Sequence, residues 1–349
     1  MLLNVYLCHF NRLFIHLTIC QNNYILTSKN HGKRVNLMKN KILGSARFKT
    51  VEFTFVQNLT TNEITQLSND FNVEKDEIAK INWHLDRVDQ RTLPLSNTNY
   101  IGNSSKAIDI YIVDTGVDIL HPEFSENNAI WGGNFVLDGI NTDCNGHGTH
   151  VASLALGKQY GSGKLANLIA VKVLGCSGSG SYSDIIKAIE WITNRAATSG
   201  KISIVNMSLG GPSSSALDTA ITNSFNSGVY YVVAAGNSNL DSCNYSPARV
   251  PSVITVAASD INDNKASFSN YGKCVDVYSP GVNLLAAWPN NNIARLSGTS
   301  MASPVATGIL ANYLSRLGRS GYNTFYNSMT NGVILKNPRG TVNKLVYFI

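Results

Sequence analysis

The chain has 349 residues, 44% of them hydrophobic and 14% charged, which is enough apolar material for one large core and argues against a disordered polymer. Its formal charge of +6 is concentrated at the start: residues 1–50 carry eight Lys and Arg and no acidic residue, leaving 20 basic against 22 acidic residues in the rest. A slightly acidic body has no electrostatic reason to follow a phosphate backbone, so nucleic acid is excluded as a partner.

Residues 1–22 are apolar but interrupted by His9, Arg12 and His16, and no run reaches the roughly 18 residues of a membrane-spanning helix. A short apolar stretch at the extreme N-terminus reads instead as an export signal, and residues 1–40 are assigned to a leader. Residues 23–50 are polar, basic and without period, the pattern of a processed or mobile connector. Residues 51–56 (VEFTFV) alternate as a strand does, and Thr60, followed three residues later by Glu63, opens a helical stretch through Leu67. Residues 41–80 thus form a small α+β segment, too small to stand alone.

Beyond Trp83 the pattern changes, and residues 81–349 read as one domain. Short apolar runs at 108–113, 168–173, 202–207, 229–234 and 253–257 have the character of parallel strands buried on both faces. Helical patterns at 147–156, 183–197, 214–227 and 300–317 separate them. Alternation of this kind predicts a three-layer α/β/α fold around a mostly parallel, doubly wound sheet.

Such sheets bind ligands outside the carboxyl ends of their strands. Asp114 stands there, after Ile-Tyr-Ile-Val and before Thr-Gly, where it can orient an imidazole, although an Asp after a strand also serves as a turn former. His147, in Asn-Gly-His-Gly-Thr-His, has the near-neutral pKa of a general base. Two histidines three apart could hold a metal, but the Glu of H-E-x-x-H is absent, and His150 reads as a packed core histidine. Ser300, in Ser-Gly-Thr-Ser-Met-Ala-Ser-Pro, opens an apolar helix whose free amides and dipole favour an oxyanion; capping is the alternative role. Asn237 ends Val-Val-Ala-Ala-Gly-Asn and can donate its amide to a developing negative oxygen. The cysteines divide into Cys8 and Cys20 in the leader and Cys144, Cys176, Cys243 and Cys274 in the body. That even count in the body suits two disulfides in an oxidising compartment, and with no C-x-x-C pair zinc is not expected.

With Asp114, His147, Asn237 and Ser300 in that order, the chain resembles the subtilisin family from about Trp83 onward, in its proteinase K-like branch close to aqualysin. The likeness runs through 85–91 (LDRVDQR), similar to a mature N-terminus, and through 178–183 (GSGSYS), 208–211 (SLGG) and 340–343 (GTVN). It implies a serine endopeptidase in which Asp114 orients His147, His147 acts as base and then acid, Ser300 attacks the peptide carbonyl, and the Ser300 amide with Asn237 holds the oxyanion. It also implies that Gly178, Ser179, Gly180 and Tyr182 on one side, and Ser208, Leu209 and Gly210 on the other, clasp extended substrate through the backbone, giving broad specificity. The segments similar to the primary pocket walls, which include Ala234 and Gly236, contain no acidic residue, so an apolar or aromatic side chain is expected before the scissile bond.

The same resemblance pairs Cys144 with Cys176 and Cys243 with Cys274, and it assigns a structural Ca2+ to the carbonyls of Pro251 and Val253 with the Asp276 carboxylate. No cofactor is expected for catalysis. Residues 41–80 resemble the end of an inhibitory propeptide, with processing expected between Lys80 and His84. Polypeptide substrates, the chain's own propeptide as intramolecular inhibitor, no membrane, a monomeric state and secretion complete the expectations. One departure from the family pattern is Val305, which follows Pro304 where relatives commonly have His. Glycosylation triplets begin at Asn58, Asn103, Asn206 and Asn244, of which Asn206 ends a strand expected to be buried. The competing readings are a non-catalytic or propeptide-blocked binding protein and an ester hydrolase; the latter lacks the G-x-S-x-G elbow.

Overall fold

A computed structural model describes residues 23–28, 42–47, 52–57, 60–69, 71–75, 82–98, 104–136 and 138–348. The expected signal segment, Cys8, Cys20, the processing bond and the triplets at Asn58 and Asn103 lie wholly or partly outside these residues. The chain divides into two units between Ala79 and Lys80.

In the first unit, strands β1 (Asn23–Ser28), β2 (Ile42–Arg47) and β3 (Glu52–Gln57), helix α1 (Thr61–Leu67) and strand β4 (Phe71–Lys75) build an antiparallel sheet in the order β2-β3-β1-β4. The α1 start is a reciprocal capping box: the Thr60 hydroxyl accepts from the Glu63 amide, and the Glu63 carboxylate accepts from the Thr60 amide at 2.8 Å. This corrects the reading of residues 23–50 as a connector, because β1 and β2 lie within them. Strand β1 also precedes the expected leader boundary at residue 40, and it pairs with both β3 and β4. Cross-strand pairing, which no single segment reveals, is what makes these short polar stretches strands.

The second unit begins with helix α2 (Trp83–Val88), every residue of which is buried. Arg87 seats it, donating through Nε and Nη2 to the two oxygens of Asp263 at 2.7 and 2.9 Å, a bidentate pair. There follow β5 (Ile108–Asp114), β6 (Ile130–Asn134), α3 (His147–Leu156), β7 (Asn167–Lys172), α4 (Tyr182–Ser199), β8 (Ile202–Met207) and β9 (Gly211–Pro212). The chain continues through α5 (Ser215–Asn226), β10 (Tyr230–Ala234), β11 (Tyr245–Ser246), β12 (Ile254–Ser259), β13 (Val277–Pro280), β14 (Leu284–Trp288) and β15 (Asn292–Leu296). It closes with α6 (Thr299–Leu317), α7 (Gly321–Ser328), β16 (Thr330–Asn331) and β17 (Lys344–Leu345).

Among the described residues the main sheet has nine strands in the order β16-β17-β13-β12-β10-β8-β5-β7-β6, parallel throughout except at the β16–β17 edge. Side-chain alternation sends β5 into two cores. Ile108, Ile110 and Ile112 join the cluster containing α3 and α6 residues, while Tyr111 and Val113 join the one containing α4 and α5 residues. The expected three-layer α/β/α architecture is therefore present. Helix α6 is long and deeply set, with 15 of its 19 residues buried. Val305 is fully buried within that core, where an apolar side chain needs no polar partner. Asn206 is also fully buried, its Oδ1 accepting from Ser303 Oγ and Thr307 Oγ1, so it presents no surface for a glycan, whereas Asn244 is exposed.

Candidate active site

The carboxyl ends of β5, β8 and β10 and the starts of α3 and α6 carry the polar residues that the sequence singled out. Asp114, the last residue of β5, is fully buried, and its Oδ1 accepts from His147 Nδ1 at 2.7 Å and from the Thr115 amide at 2.7 Å. The His147 side chain remains 27% exposed, so the ring faces the groove while its other nitrogen edge is held. Burial by itself would lower the imidazole pKa. The Asp114 charge, the hydrogen bond to Asp114 and the charge of Asp143 together outweigh burial and leave it above the ordinary 6.5.

Glycines allow this approach. Gly146, at φ +109°, caps α3, and a Cβ on it would run into the Trp288 ring; a Cβ on Gly148 would strike the Gly116 carbonyl. His150 is the packed residue expected. Its Nε2 bonds the Ala294 carbonyl at 3.1 Å, and burial drives its pKa down to about 4, so it stays neutral.

Ser300 is the second residue of α6, and its amide has no partner among the described residues, as first-turn amides do not. Its hydroxyl donates to the Ser208 carbonyl at 3.1 Å, and the Ser208 hydroxyl donates to the Ser300 carbonyl at 2.8 Å. That second bond has a covalent cause: Pro304 lacks the amide that would have bonded the Ser300 carbonyl. Pro304 therefore lies inside α6, beyond its first turn. No hydrogen bond joins Ser300 to His147 among the described residues.

Asn237 is oriented by a residue that sequence reasoning passed over. Its Oδ1 accepts from both the Thr299 amide and the Thr299 hydroxyl at 2.8 Å, which leaves Nδ2 as the outward donor beside Gly298 and Ser300.

Two adjoining depressions share the wall Leu209, Gly210 and Gly211. The larger, about 570 Å3, is lined by His147, Gly178, Ser179, Gly180, Tyr182 and Ser208 among others. The smaller, about 280 Å3, is lined by Ala234, Gly236, Asn237, Thr299 and Ser300 among others, and no acidic or basic side chain faces it. The Tyr182 hydroxyl crosses the larger one to donate to the Pro212 carbonyl at 2.7 Å. The structure thus brings all the expected groove residues together. Further residues emerge only in three dimensions: Thr115, Asp143, Asn145 and Thr299, each bonding Asp114, His147 or Asn237 or the backbone beside one of them.

Cys144 is bonded to Cys176 and Cys243 to Cys274. The first disulfide joins the turn before His147 to the turn after β7 that leads to Gly178, and Asn145 Nδ2 reinforces it by donating to the Cys176 carbonyl at 2.9 Å. Asp276 stands next to β13, its Oδ2 accepting from the Thr255 amide at 2.8 Å. A grouping of Asp138 with Cys144 and Cys176 is no metal centre, because both sulfurs are in the disulfide. Among the described residues no helix is long and apolar enough to cross a membrane.

Residues 105–337 match the family model described as the subtilase family, peptidase S8. The chain belongs to the subtilase family. It is 42% identical over 314 residues to alkaline serine exoprotease A of Vibrio alginolyticus, covering 84% of this chain and 58% of that protein. It is 44% identical over 307 residues to subtilisin-like protease 6 of Trichophyton rubrum, with 85% and 72% covered. It is 47% identical over 234 residues to an extracellular serine proteinase of a Thermus species, with 66% and 56% covered. The chain therefore spans little more than half the length of the Vibrio and Thermus proteins. Among solved structures, that of a cold-adapted subtilisin-like serine proteinase superposes with a TM-score of 0.74 at 41% identity, covering 78% of this chain and 99% of the other.

Proposed function

We propose that this subtilase is a secreted serine endopeptidase of broad specificity, working through an acyl-enzyme. The observation that carries the proposal is the 2.7 Å bond from buried Asp114 to groove-facing His147, on the same cleft system as a serine whose helix-start amide is free. In the proposed reaction the Ser300 hydroxyl turns from the Ser208 carbonyl toward His147 and gives up its proton to the ring nitrogen opposite Asp114. The Ser300 oxygen then bonds to the substrate carbonyl carbon. The oxyanion formed takes hydrogen bonds from the Ser300 amide and Asn237 Nδ2. As the tetrahedral species collapses, the imidazolium returns the proton to the departing amine; water then repeats the sequence to release the acid.

The neutral smaller depression favours an apolar or aromatic side chain before the scissile bond. The glycine-rich walls favour recognition of main chain over side chain. Secretion is supported by the two disulfides and by the Thermus relative described as extracellular. We read residues 81–349 as the peptidase domain, acting as a monomer, and the sheet that includes β1 as an inhibitory propeptide removed between Lys80 and His84. N-terminal sequence upstream of Lys75 in active protein would contradict that processing.

For calcium, the Pro251 and Val253 carbonyls with the Asp276 carboxylate would supply an all-oxygen set, the donor chemistry that a hard divalent cation takes. One Asp276 oxygen already accepts from Thr255, which orients the carboxylate. A bound ion would link the segment before β12 to the start of β13, a structural role with no part in the bond cleavage.

A fluorophosphonate probe tests the central reading. Labelling of the mature protein that disappears in Ser300→Ala supports the enzyme; mature protein that takes no label favours a non-catalytic or propeptide-blocked binding role.

A further inference from the structure

Asp143 lies in the turn that leads into α3 and is only 4% exposed. Its Oδ1 accepts from Thr115 Oγ1 at 2.9 Å, from the Asn145 amide at 3.1 Å and from the Gly146 amide at 2.8 Å. Its Oδ2 accepts from the Thr149 amide at 2.9 Å and the Thr149 hydroxyl at 2.6 Å. An Asp that merely shapes a turn bonds the one or two amides following it. Here three of the five bonds come from Thr115 and Thr149, outside the turn. Thr115 then extends the link, its hydroxyl accepting from the Gly148 amide at 2.9 Å while its amide holds the Asp114 oxygen that bonds His147. Asp143 makes no ion pair among the described residues, so neutral donors satisfy its charge without cancelling it.

We propose that Asp143 is a positioning residue for the hydrolysis set out above, on which this inference rests: its carboxylate locks the turn carrying His147 onto the corner carrying Asp114. One buried anion thereby grips both partners of the Asp114–His147 pair from behind. It fixes where the imidazole stands relative to Ser300. The charged and titratable groups around that imidazole are Asp114 from β5, Asp143 from the turn, His150 from α3, and Lys172 from β7. The Lys172 ammonium bonds the Thr115 carbonyl at 3.1 Å and pairs with Asp138 at 3.4 Å.

The test is steady-state hydrolysis of a chromogenic peptide by mature protein, from about pH 5 to about pH 9, with thermal midpoints measured alongside. Asp143→Asn keeps the size of the side chain but removes the charge and turns one acceptor into a donor. Its kcat should fall about 10- to 100-fold, as misplacement of a reacting group does, with KM within about twofold. The acidic limb of its pH profile should also move to lower pH. Thr115→Val cuts the link without touching the charge; it should lower kcat and leave the limb in place. A purely structural Asp143 would lower the thermal midpoint and move neither kcat nor the limb, and that result would falsify the proposal. If Asp143→Asn does not fold, Thr115→Val decides: wild-type kcat in that variant overturns the idea. Wild-type protein that neither cleaves nor takes a fluorophosphonate overturns the parent reading and this one together, whereas active wild-type protein with an unaffected Asp143→Asn overturns this one alone.

Discussion

Asn237 is left with its amide nitrogen free to donate, because Thr299 occupies its oxygen twice. That arrangement makes a sharp forecast. Asn237→Leu, which keeps the bulk and removes the donor, should cut kcat roughly 100- to 1,000-fold with little change in KM, the signature of a bond made only in the transition state. An unchanged kcat would move the oxyanion away from this residue. His147 carries a second forecast. In the proposed role of base it must be neutral to accept a proton, and Asp114 and Asp143 hold this imidazole above its ordinary 6.5 against the effect of burial. The acidic limb of kcat/KM should accordingly lie above pH 6.5, and a limb below it would contradict the charge arrangement. The four principal side chains were legible in the sequence because Asp, His, Asn and Ser each stand at a strand or helix end beside small residues. Asp143 and Thr299 were not, because an Asp before Cys-Asn-Gly reads as a turn former and a Thr beside Ser300 reads as part of the same cap. What distinguishes them is the partner, and the partner is distant in the chain.

Each element is held in place by contacts whose removal separates stability from activity. Both disulfides close loops of about 32 residues, worth roughly 3 to 4 kcal/mol each by chain entropy. Of the two, only the Cys144–Cys176 bond ties the His147 turn to the turn before Gly178 in the groove wall. In a Ser300→Ala background, which prevents self-digestion, replacing either pair by serines should lower the thermal midpoint by a similar amount. In the active protein, only loss of Cys144–Cys176 should also lower kcat/KM; equal losses from both pairs would show that the link to the groove is unimportant. The strands of the main sheet could be read because burial on both faces demands unbroken apolar runs such as those of β5 and β8. Strands β1, β2 and β4 could not, for their residues are mixed and short, and only pairing with β3 or with one another makes them a sheet. The hairpin of β14 and β15 escaped for a related reason: β15 is largely exposed, so its sequence carries no alternation to follow.

For the whole molecule, two buried histidines weaken the fold in acid. His84 bonds the Tyr160 carbonyl at 2.9 Å, and burial lowers its pKa to about 4, as it does for His150. In the unfolded chain both return to about 6.5. Their stabilisation, on the order of 3 kcal/mol each, is thus complete above pH 6.5 and is lost as pH falls toward 4, because only the unfolded chain takes up the protons. The thermal midpoint of Ser300→Ala protein should drop across that window, and His84→Gln, which retains a donor but cannot titrate, should shrink the drop. Chelation offers a second global check: if calcium holds the segment before β12 to β13, EDTA should lower the midpoint, and Asp276→Asn should abolish the response.

The depth of α6 carries a consequence for how this molecule fails. A nucleophile on a peripheral loop could be lost by local fraying while the rest of the protein stood. Here the proposed nucleophile, Ser300, stands in the first turn of a helix sheathed by the core along most of its length, so amide hydrogens from 305 to 314 should exchange with solvent only when the entire domain opens. Heat inactivation and disappearance of tertiary structure should then trace one curve.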